Sequence, residues 1–170
     1  MLQINLFIAL IFTVYPQQDF VIANVSAVRD GDTIELKMPE GWIAAVRLHG
    51  IDSPDKCQKQ YEQAKQYAIN LLLDKKVKFV KTGIDQYNRL VGEIYIDANN
   101  TQGEYPVWFN AAIVGAGYAW HWPRYSDSQK LASMQIVAQK LKVGVWEESN
   151  PIPPWEFRKS DEYKKCNTNY

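Results

Sequence analysis

Apolar and polar positions alternate along the first third of the chain, a pattern that predicts strands. Residues 20–29 are rich in β-branched side chains, residues 33–37 alternate apolar with polar, and residues 43–48 form a third short apolar segment. The dipeptide Asp30-Gly31 is a hairpin turn signal between the first two segments. The first third of the chain is therefore expected to form a three-stranded meander.

The period of the apolar positions becomes helical after residue 60. The spacing predicts a first helix of about 14 residues that includes Tyr61 and Leu72, followed by strands at residues 77–80 and 90–96. A second helix is expected from Pro106 to about Val114, and a third from a capping box of Ser126 and Gln129. Five strands with a helix between the third and fourth is the connectivity of an OB-type Greek-key barrel. We therefore expect an α+β fold, mainly a five-stranded β barrel, with three helices.

Composition indicates an ordinary globular domain with a packed core. The chain has 170 residues, 46% of them hydrophobic and 22% charged, which excludes collagen-like and intrinsically disordered classes. Nineteen basic residues balance nineteen acidic ones, so the overall charge does not indicate a nucleic-acid partner. Between Lys56 and Arg89, however, eight basic residues accompany three acidic ones. Any affinity for a polyanion is expected to come from that region.

The N-terminal segment has no charged side chain before Asp19. Its run from Leu6 to Val14 is shorter than the roughly 20 residues needed to cross a bilayer, and is typical of a secretory signal. We expect residues 1–19 to be a signal peptide or N-terminal anchor, 20–147 the main domain and 148–170 a C-terminal extension. A buried first strand is the alternative for the leader. Export predicts a secreted or periplasmic protein, membrane-anchored if the leader stays uncleaved.

Cys57 and Cys166 are the only cysteines. An oxidising compartment would allow them to form a disulfide that ties the extension to the domain. Cysteines whose Cα atoms lie more than about 7 Å apart cannot be bridged, and the sequence does not reveal that distance. A disulfide and two unpaired thiols both remain open at this point.

Carboxylates occur at two places that a barrel can bring together. Asp32 follows the first hairpin turn and Asp52 follows the third strand, so both are expected at one rim. Two neighbouring carboxylates repel each other unless a cation joins them. Hard oxygen ligands favour calcium or magnesium, and calcium takes about six to eight oxygens. Two carboxylates would leave positions for water and a substrate phosphate, as in an open catalytic site.

Two arginines and a further carboxylate complete a candidate site for phosphodiester cleavage. Arg47 and Arg89 carry planar, permanently charged guanidinium groups that match phosphate oxygens. Such groups can offset the negative charge that develops at phosphorus in the transition state. Asp55 is the candidate to orient or deprotonate the attacking water.

Several separated motifs, in the same order, resemble the staphylococcal (micrococcal) nuclease family, or thermonucleases. The resemblance runs from about Val21 to Arg158. It is carried by Asp30-Gly31-Asp32-Thr33, Val46 to Pro54, Asp85 to Arg89, Ala119 to Trp122 with Tyr125, Gly144-Val145-Trp146 and Asn150 to Glu156. It implies an OB-fold barrel with three helices. It also implies a calcium-dependent hydrolase that cleaves DNA and RNA without sequence specificity, leaving 3′-phosphate ends.

The resemblance assigns roles by motif position. Asp32 and Asp52 would be metal carboxylates, Ser53 would offer its backbone carbonyl, and Arg47 and Arg89 would hold the phosphate. Single-stranded DNA or RNA is the expected partner of a monomer that has no stable protein partner.

Aromatic residues extend the assignment to the nucleotide. Tyr87 and Tyr125 resemble residues that line the nucleotide pocket, where bases stack on aromatic rings regardless of sequence. For Trp120 and Trp122, packing in the core is the favoured interpretation.

Asp55 departs from the family pattern, which has Glu after the proline. Its carboxylate is one methylene shorter, a withdrawal of about 1.5 Å. Misplacement by about 1 Å can cost on the order of 100-fold in rate, so a slower nuclease is expected unless the backbone compensates. The alternative is a weak or inactive OB-fold module that binds nucleic acid or protein. Retention of Asp32, Asp52 and the two arginines argues against that alternative.

Overall fold

The structure, a computed structural model, describes residues 20–97 and 103–168. The predicted leader, residues 1–19, lies outside the described residues. The strands are β1 Phe20–Val28, β2 Thr33–Lys37, β3 Ile43–Leu48, β4 Ile51–Asp52, β5 Lys76–Ile84, β6 Leu90–Ile96, β7 Val107–Trp108 and β8 Trp120–His121. The helices are α1 Tyr61–Leu72, α2 Phe109–Gly115, α3 Gln129–Leu141, α4 Pro154–Phe157 and α5 Asp161–Thr168, with a 3-10 turn at Gly144–Glu147.

Five strands close into a barrel. The hydrogen-bonded order is β3-β2-β1-β5-β6, and β3 also pairs in parallel with β6, where Arg47 lies opposite Val91. The predicted α+β fold, a five-stranded barrel with three main helices, is confirmed. β5 is longer than expected because a register shift between Lys81 and Gly83 lets it bend and continue its pairing with β6.

The barrel interior follows from the alternation of apolar residues. Ile34 and Val46 are cross-strand partners on β2 and β3, and both are completely buried. Phe79 and Ile94 are partners on β5 and β6 and fill the same core. Because side chains in a strand alternate between two faces, the intervening positions point outward, and Arg47 on β3 thereby reaches the rim.

The second helix begins later than predicted. Residues Val107 and Trp108 form β7, which pairs with Ile96 and Tyr95 of β6, and α2 begins only at Phe109. The prediction that Pro106 starts the helix was wrong because the free edge of β6 holds the next two residues in extended conformation. A β-branched and an aromatic residue suit that edge.

The third helix has a different N-cap from the one expected. Ser128 caps α3, since its hydroxyl accepts a hydrogen bond from the backbone N–H of Leu131. Ser126 instead accepts from the N–H of Ser128 at 3.2 Å. The predicted capping box of Ser126 and Gln129 was therefore wrong, and the helix begins at Gln129.

The C-terminal extension folds back on the barrel. Cys57 and Cys166 form a disulfide with a Cα–Cα distance of 6.5 Å, which answers the question that the sequence left open. Phe157 is buried, and the Gln58 side chain donates to the carbonyl of Ile152 at 2.9 Å. Within residues 20–97 and 103–168, the helices are too short or too polar to span a membrane.

Candidate active site

A cleft of about 630 Å³ opens at one end of the barrel. It is bounded by the turn before β2, the end of β3, the segment after β4, the loop between β5 and β6, and the C-terminal extension. All eight site residues predicted from the sequence line it: Asp32, Arg47, Asp52, Ser53, Asp55, Tyr87, Arg89 and Tyr125. Asp30, Trp122 and Arg158 also line it.

The β1–β2 turn places Asp32 against the segment after β4. The Asp32 N–H donates to the carboxylate of Asp30 at 3.0 Å, which tightens the turn. The Leu48 N–H donates to the Asp32 carbonyl at 2.8 Å and joins the turn to β3. The backbone N–H of Ser53 donates to Asp32 Oδ2 at 2.5 Å. The carboxylate of Asp32 therefore lies beside Asp52 and Ser53 although about twenty residues of chain separate them.

Arg47 joins the two predicted metal carboxylates. Its Nη1 lies 3.1 Å from Asp32 Oδ1 and its Nη2 lies 2.8 Å from Asp52 Oδ1. The Arg47 side chain is only 14% exposed, and both carboxylates are buried. The two charges on Asp32 and Asp52 are thus partly offset by a guanidinium that still lines the cleft.

Arg89 lies in the cleft but pairs with a different carboxylate. Its Nε donates to Asp85 Oδ2 at 2.7 Å and its backbone N–H to Asp85 Oδ1 at 2.9 Å. Although burial opposes it, these hydrogen bonds from Arg89 and that from the N–H of Tyr87 lower the pKa of the Asp85 carboxyl. The loop therefore holds Arg89 in a fixed position, with its guanidinium 5.6 Å from the Tyr87 ring.

Arg158 is the residue that sequence reasoning missed. Its Nη2 lies 2.5 Å from Asp52 Oδ2, and its Nη1 lies 2.8 Å from Asp55 Oδ2. It comes from the extension, 106 residues after Asp52. The motif Asn150 to Glu156 ends two residues before it, which is the sequence signal that could have drawn attention to this arginine.

The carboxyl groups of this cleft carry more negative charge than their surroundings favour. Burial, and then the charge of Asp32, raise the pKa values of Asp30 and Asp52 to about 7, against the effect of Arg47. Burial also raises the pKa of Asp55 despite its contact with Arg158. A cation bound beside these carboxyl groups would favour their ionised forms.

The donor chemistry of the cleft fits a hard divalent cation in an open site. Asp32 and Asp52 supply carboxylate oxygens, the ligands that calcium prefers. Among the residues that the structure describes, no group of three or more His, Cys, Asp or Glu side chains is placed to hold a metal ion by itself. Water and substrate would therefore have to supply most of the ligands.

We expect the metal-free protein to lose stability as pH rises from about 5 to 8. Asp30 and Asp52 have folded-state pKa values of about 7, above the unfolded value of 3.8, so the folded state binds their protons more tightly. Their stabilising contribution is complete at low pH and is lost as pH rises through 7. Thermal unfolding with a chelator at pH 5.5, 7 and 8 measures this fall. It should be smaller in Asp52→Asn, and a melting temperature that rises over this range would contradict the expectation.

Aromatic side chains border the cleft. Tyr87 is 72% exposed and Tyr125 is 55% exposed, so both rings are open to a ligand. Trp120 is buried, as expected of a core residue, and packs 5.4 Å from Trp146. Trp122, for which core packing was also favoured, instead lines the cleft and stacks on Trp155.

Comparisons with a family model and with known proteins point to the same family. The family model described as staphylococcal nuclease homologue matches residues 45–148. An uncharacterised endonuclease of Escherichia coli O157:H7 is 33% identical over 136 residues, which cover 79% of this chain and 83% of that protein.

Two further relatives match over most of their lengths. An uncharacterised endonuclease of Haemophilus influenzae is 29% identical over 154 residues, covering 89% of this chain and 82% of its own. A micrococcal nuclease of Shigella flexneri is 29% identical over 157 residues, covering 90% and 88%. The barrel, the motifs that meet in its cleft and these matches together establish that the chain belongs to the staphylococcal nuclease family.

Proposed function

We propose that this protein is a calcium-dependent nuclease that hydrolyses phosphodiester bonds of DNA and RNA without sequence specificity, leaving 3′-phosphate ends. The observation that carries the proposal is the contact of Arg47 with both Asp32 and Asp52 in a cleft that Arg89 also lines. Such a cleft offers oxygen ligands for a cation and guanidinium groups for a phosphate in one place. Membership of a nuclease family supports the same reaction.

Arg47 and Arg89 are the arginines of the cleft that bind and stabilise the phosphate. Arg47 and Arg89 donate to its non-bridging oxygens, whose charge grows as water attacks phosphorus. When bound, calcium would polarise the phosphodiester and offset part of this charge. Asp55 orients the water and accepts its proton. The bond between phosphorus and the 5′ oxygen breaks, the 5′ oxygen leaves as an alkoxide that takes a proton from surrounding water, and the phosphate remains on the 3′ side. Asp55 then releases the proton of the attacking water to the solvent.

Substrate binding in this proposal combines stacking with local positive charge. Tyr87 and Tyr125 present exposed rings on which unpaired bases can stack, which favours single strands over duplex. Because the whole chain carries no net charge, binding depends on the basic region between Lys56 and Arg89 and should weaken as salt increases.

A second candidate function is a binding module without catalysis. The observation that favours it is Asp55, whose short carboxylate is paired with Arg158. A binding module, however, has no use for buried carboxylates that burial disfavours in charged form. Nuclease activity is therefore the proposal that accounts for more of the cleft.

We also propose that the protein works in an oxidising compartment, secreted or periplasmic, as a monomer. The disulfide between Cys57 and Cys166 supports this location, because disulfides persist outside the reducing cytosol.

Calcium titration with single-stranded DNA tests the proposed function. We expect degradation to rise with calcium and to stop when a chelator is added. Asp52→Asn should lower the rate at least about 100-fold, because it removes a carboxylate from the proposed cation site. Asp74→Asn is the matched control, since Asp74 is exposed and its left-handed backbone suits asparagine. Degradation that persists in chelator contradicts the metal role. Binding without degradation at every calcium concentration supports the binding module instead.

A further inference from the structure

The C-terminal extension delivers a third guanidinium into the cleft. Arg158 contacts Asp52 at 2.5 Å and Asp55 at 2.8 Å, and its side chain is 30% exposed. It therefore reaches two carboxylates to which the proposed function gives different tasks, Asp52 toward the cation and Asp55 toward water. The contacts use Oδ2 of both residues, so the proton from water would go to Oδ1 of Asp55.

Several contacts fix the segment that carries Arg158. Phe157 beside it is buried, and Trp155 stacks on Trp122 with ring centroids 5.6 Å apart and planes 9° apart. The Arg158 guanidinium itself lies 5.5 Å from the Trp122 ring. These contacts give the guanidinium a defined approach to the carboxylates.

The disulfide lies close in sequence to both sides of these ion pairs. Cys57 is two residues after Asp55, and Cys166 is eight residues after Arg158. The covalent link therefore joins the two short segments that carry the partners. Without it, the extension would depend on non-covalent contacts alone, and Arg158 would spend part of the time away from Asp52 and Asp55.

We propose that Arg158 is a positioning residue of the active site, held on Asp52 and Asp55 by the extension and its disulfide. The inference rests on the proposed nuclease function. It gives a physical role to Asp55, which is shorter than the family's Glu. An aspartate has fewer rotatable bonds, and its ion pair with a guanidinium keeps its carboxylate in one position. The fixed position of the Asp55 carboxylate thereby compensates for the shorter side chain.

Kinetics of Arg158→Gln, Arg158→Lys and the control Lys159→Gln test this role. Lys159 is one residue further on, is exposed and pairs with Glu156, so its replacement should change neither kcat nor KM. Arg158→Gln should lower kcat about 100-fold with little change in KM, because Asp55 loses its position while the phosphate contacts remain. Arg158→Lys keeps the positive charge but loses the planar guanidinium that contacts two carboxylates at once. It should therefore recover only part of the rate.

Calcium binding to the same variants, measured calorimetrically without nucleic acid, separates positioning from a structural role. Removing a positive charge next to the carboxylates should tighten calcium binding by about tenfold in Arg158→Gln. A variant that was merely loosened would bind calcium more weakly and turn over more slowly, and that result would overturn the proposal.

Replacement of both cysteines by serine tests the disulfide as the anchor. Cys57→Ser/Cys166→Ser should be slower than the native chain but faster than Arg158→Gln. Adding Arg158→Gln to it should lower kcat no further than Arg158→Gln does alone, because both changes act through one contact. Additive losses would show that the disulfide does not act by holding Arg158.

The outcomes distinguish failure of this inference from failure of the proposed function. If the native chain degrades DNA and Arg158→Gln degrades it equally well, the positioning role fails and the nuclease function stands. If the native chain degrades nothing at any calcium concentration, the proposed function fails. Unchanged calcium affinity in Arg158→Gln would then also remove the role of Arg158 at the carboxylates.

Discussion

Replacing Arg47 with alanine is expected to abolish nuclease activity, with kcat/KM lowered by at least about 1,000-fold. Two effects combine. The variant lacks a guanidinium for the phosphate. It also leaves Asp32 and Asp52 without the Arg47 guanidinium, whose nitrogens lie 3.1 Å from Asp32 Oδ1 and 2.8 Å from Asp52 Oδ1. Two buried carboxylates without that partner repel each other and become harder to ionise. The variant should therefore lose the stabilisation of the phosphate, and its metal-free carboxylates should be harder to ionise.

Steady-state cleavage of single-stranded DNA at saturating calcium measures this loss, with circular dichroism to verify folding. Arg29→Ala is the matched control, because Arg29 is also ion-paired, with Glu35, but its side chain is 61% exposed and outside the cleft. It should leave the rate within about twofold, since exposed ion pairs contribute little. A folded Arg47→Ala protein that retains more than a tenth of the native rate would remove Arg47 from the proposed mechanism.

Replacing Gly117 with alanine is expected to lower the free energy of unfolding by about 2–5 kcal/mol. The backbone of Gly117 has φ +79°, a conformation that L side chains rarely adopt, and an added Cβ would lie 2.2 Å from the carbonyl oxygen of Val143. The Val143 carbonyl oxygen belongs to the backbone, so it cannot rotate away as the end of a flexible side chain could. At this crossing the Gly117 carbonyl accepts a hydrogen bond from Val145 at 2.9 Å, which fixes the 3-10 turn leading to the extension.

Denaturant unfolding measures the effect, and Gly41→Ala separates its two causes. Gly41 has φ +95°, and no described atom lies within 4 Å of a Cβ added there. Its replacement should therefore cost only the backbone strain, about 1–2 kcal/mol. Equal losses in the two variants would mean that the crossing at Gly117 relaxes and that its close approach is not a constraint.

The fold was predictable wherever a local pattern agreed with the final packing. Alternation predicted the barrel strands, because their apolar faces are buried in the core, and helical spacing predicted α1 and α3, which bury Leu72 and Leu131 there. The prediction failed at Pro106, where local signals for a helix compete with a free strand edge. It failed at Ser126 too, where two serines of equal capping chemistry lie two residues apart and only the chain path selects Ser128.

The candidate site was predictable as far as its motifs reach. The eight predicted residues line one cleft, while their chemical roles remain predictions that the variants above would test. Arg158 was not predicted because it is one of several charged residues in a balanced tail and lies just beyond the motif Asn150 to Glu156. Asp30 was seen as part of a turn, and its shifted pKa arises from burial and from Asp32 in the folded chain.

Sequence alone determined the five barrel strands, the main helices and the residue types of the cleft, since periodicity and turn chemistry are properties of neighbouring residues. Only the tertiary structure decided that Cys57 meets Cys166 and that Arg158 meets Asp52, pairs separated by 109 and 106 residues. Distances between such residues depend on how the barrel closes and where the extension docks, which no short segment specifies.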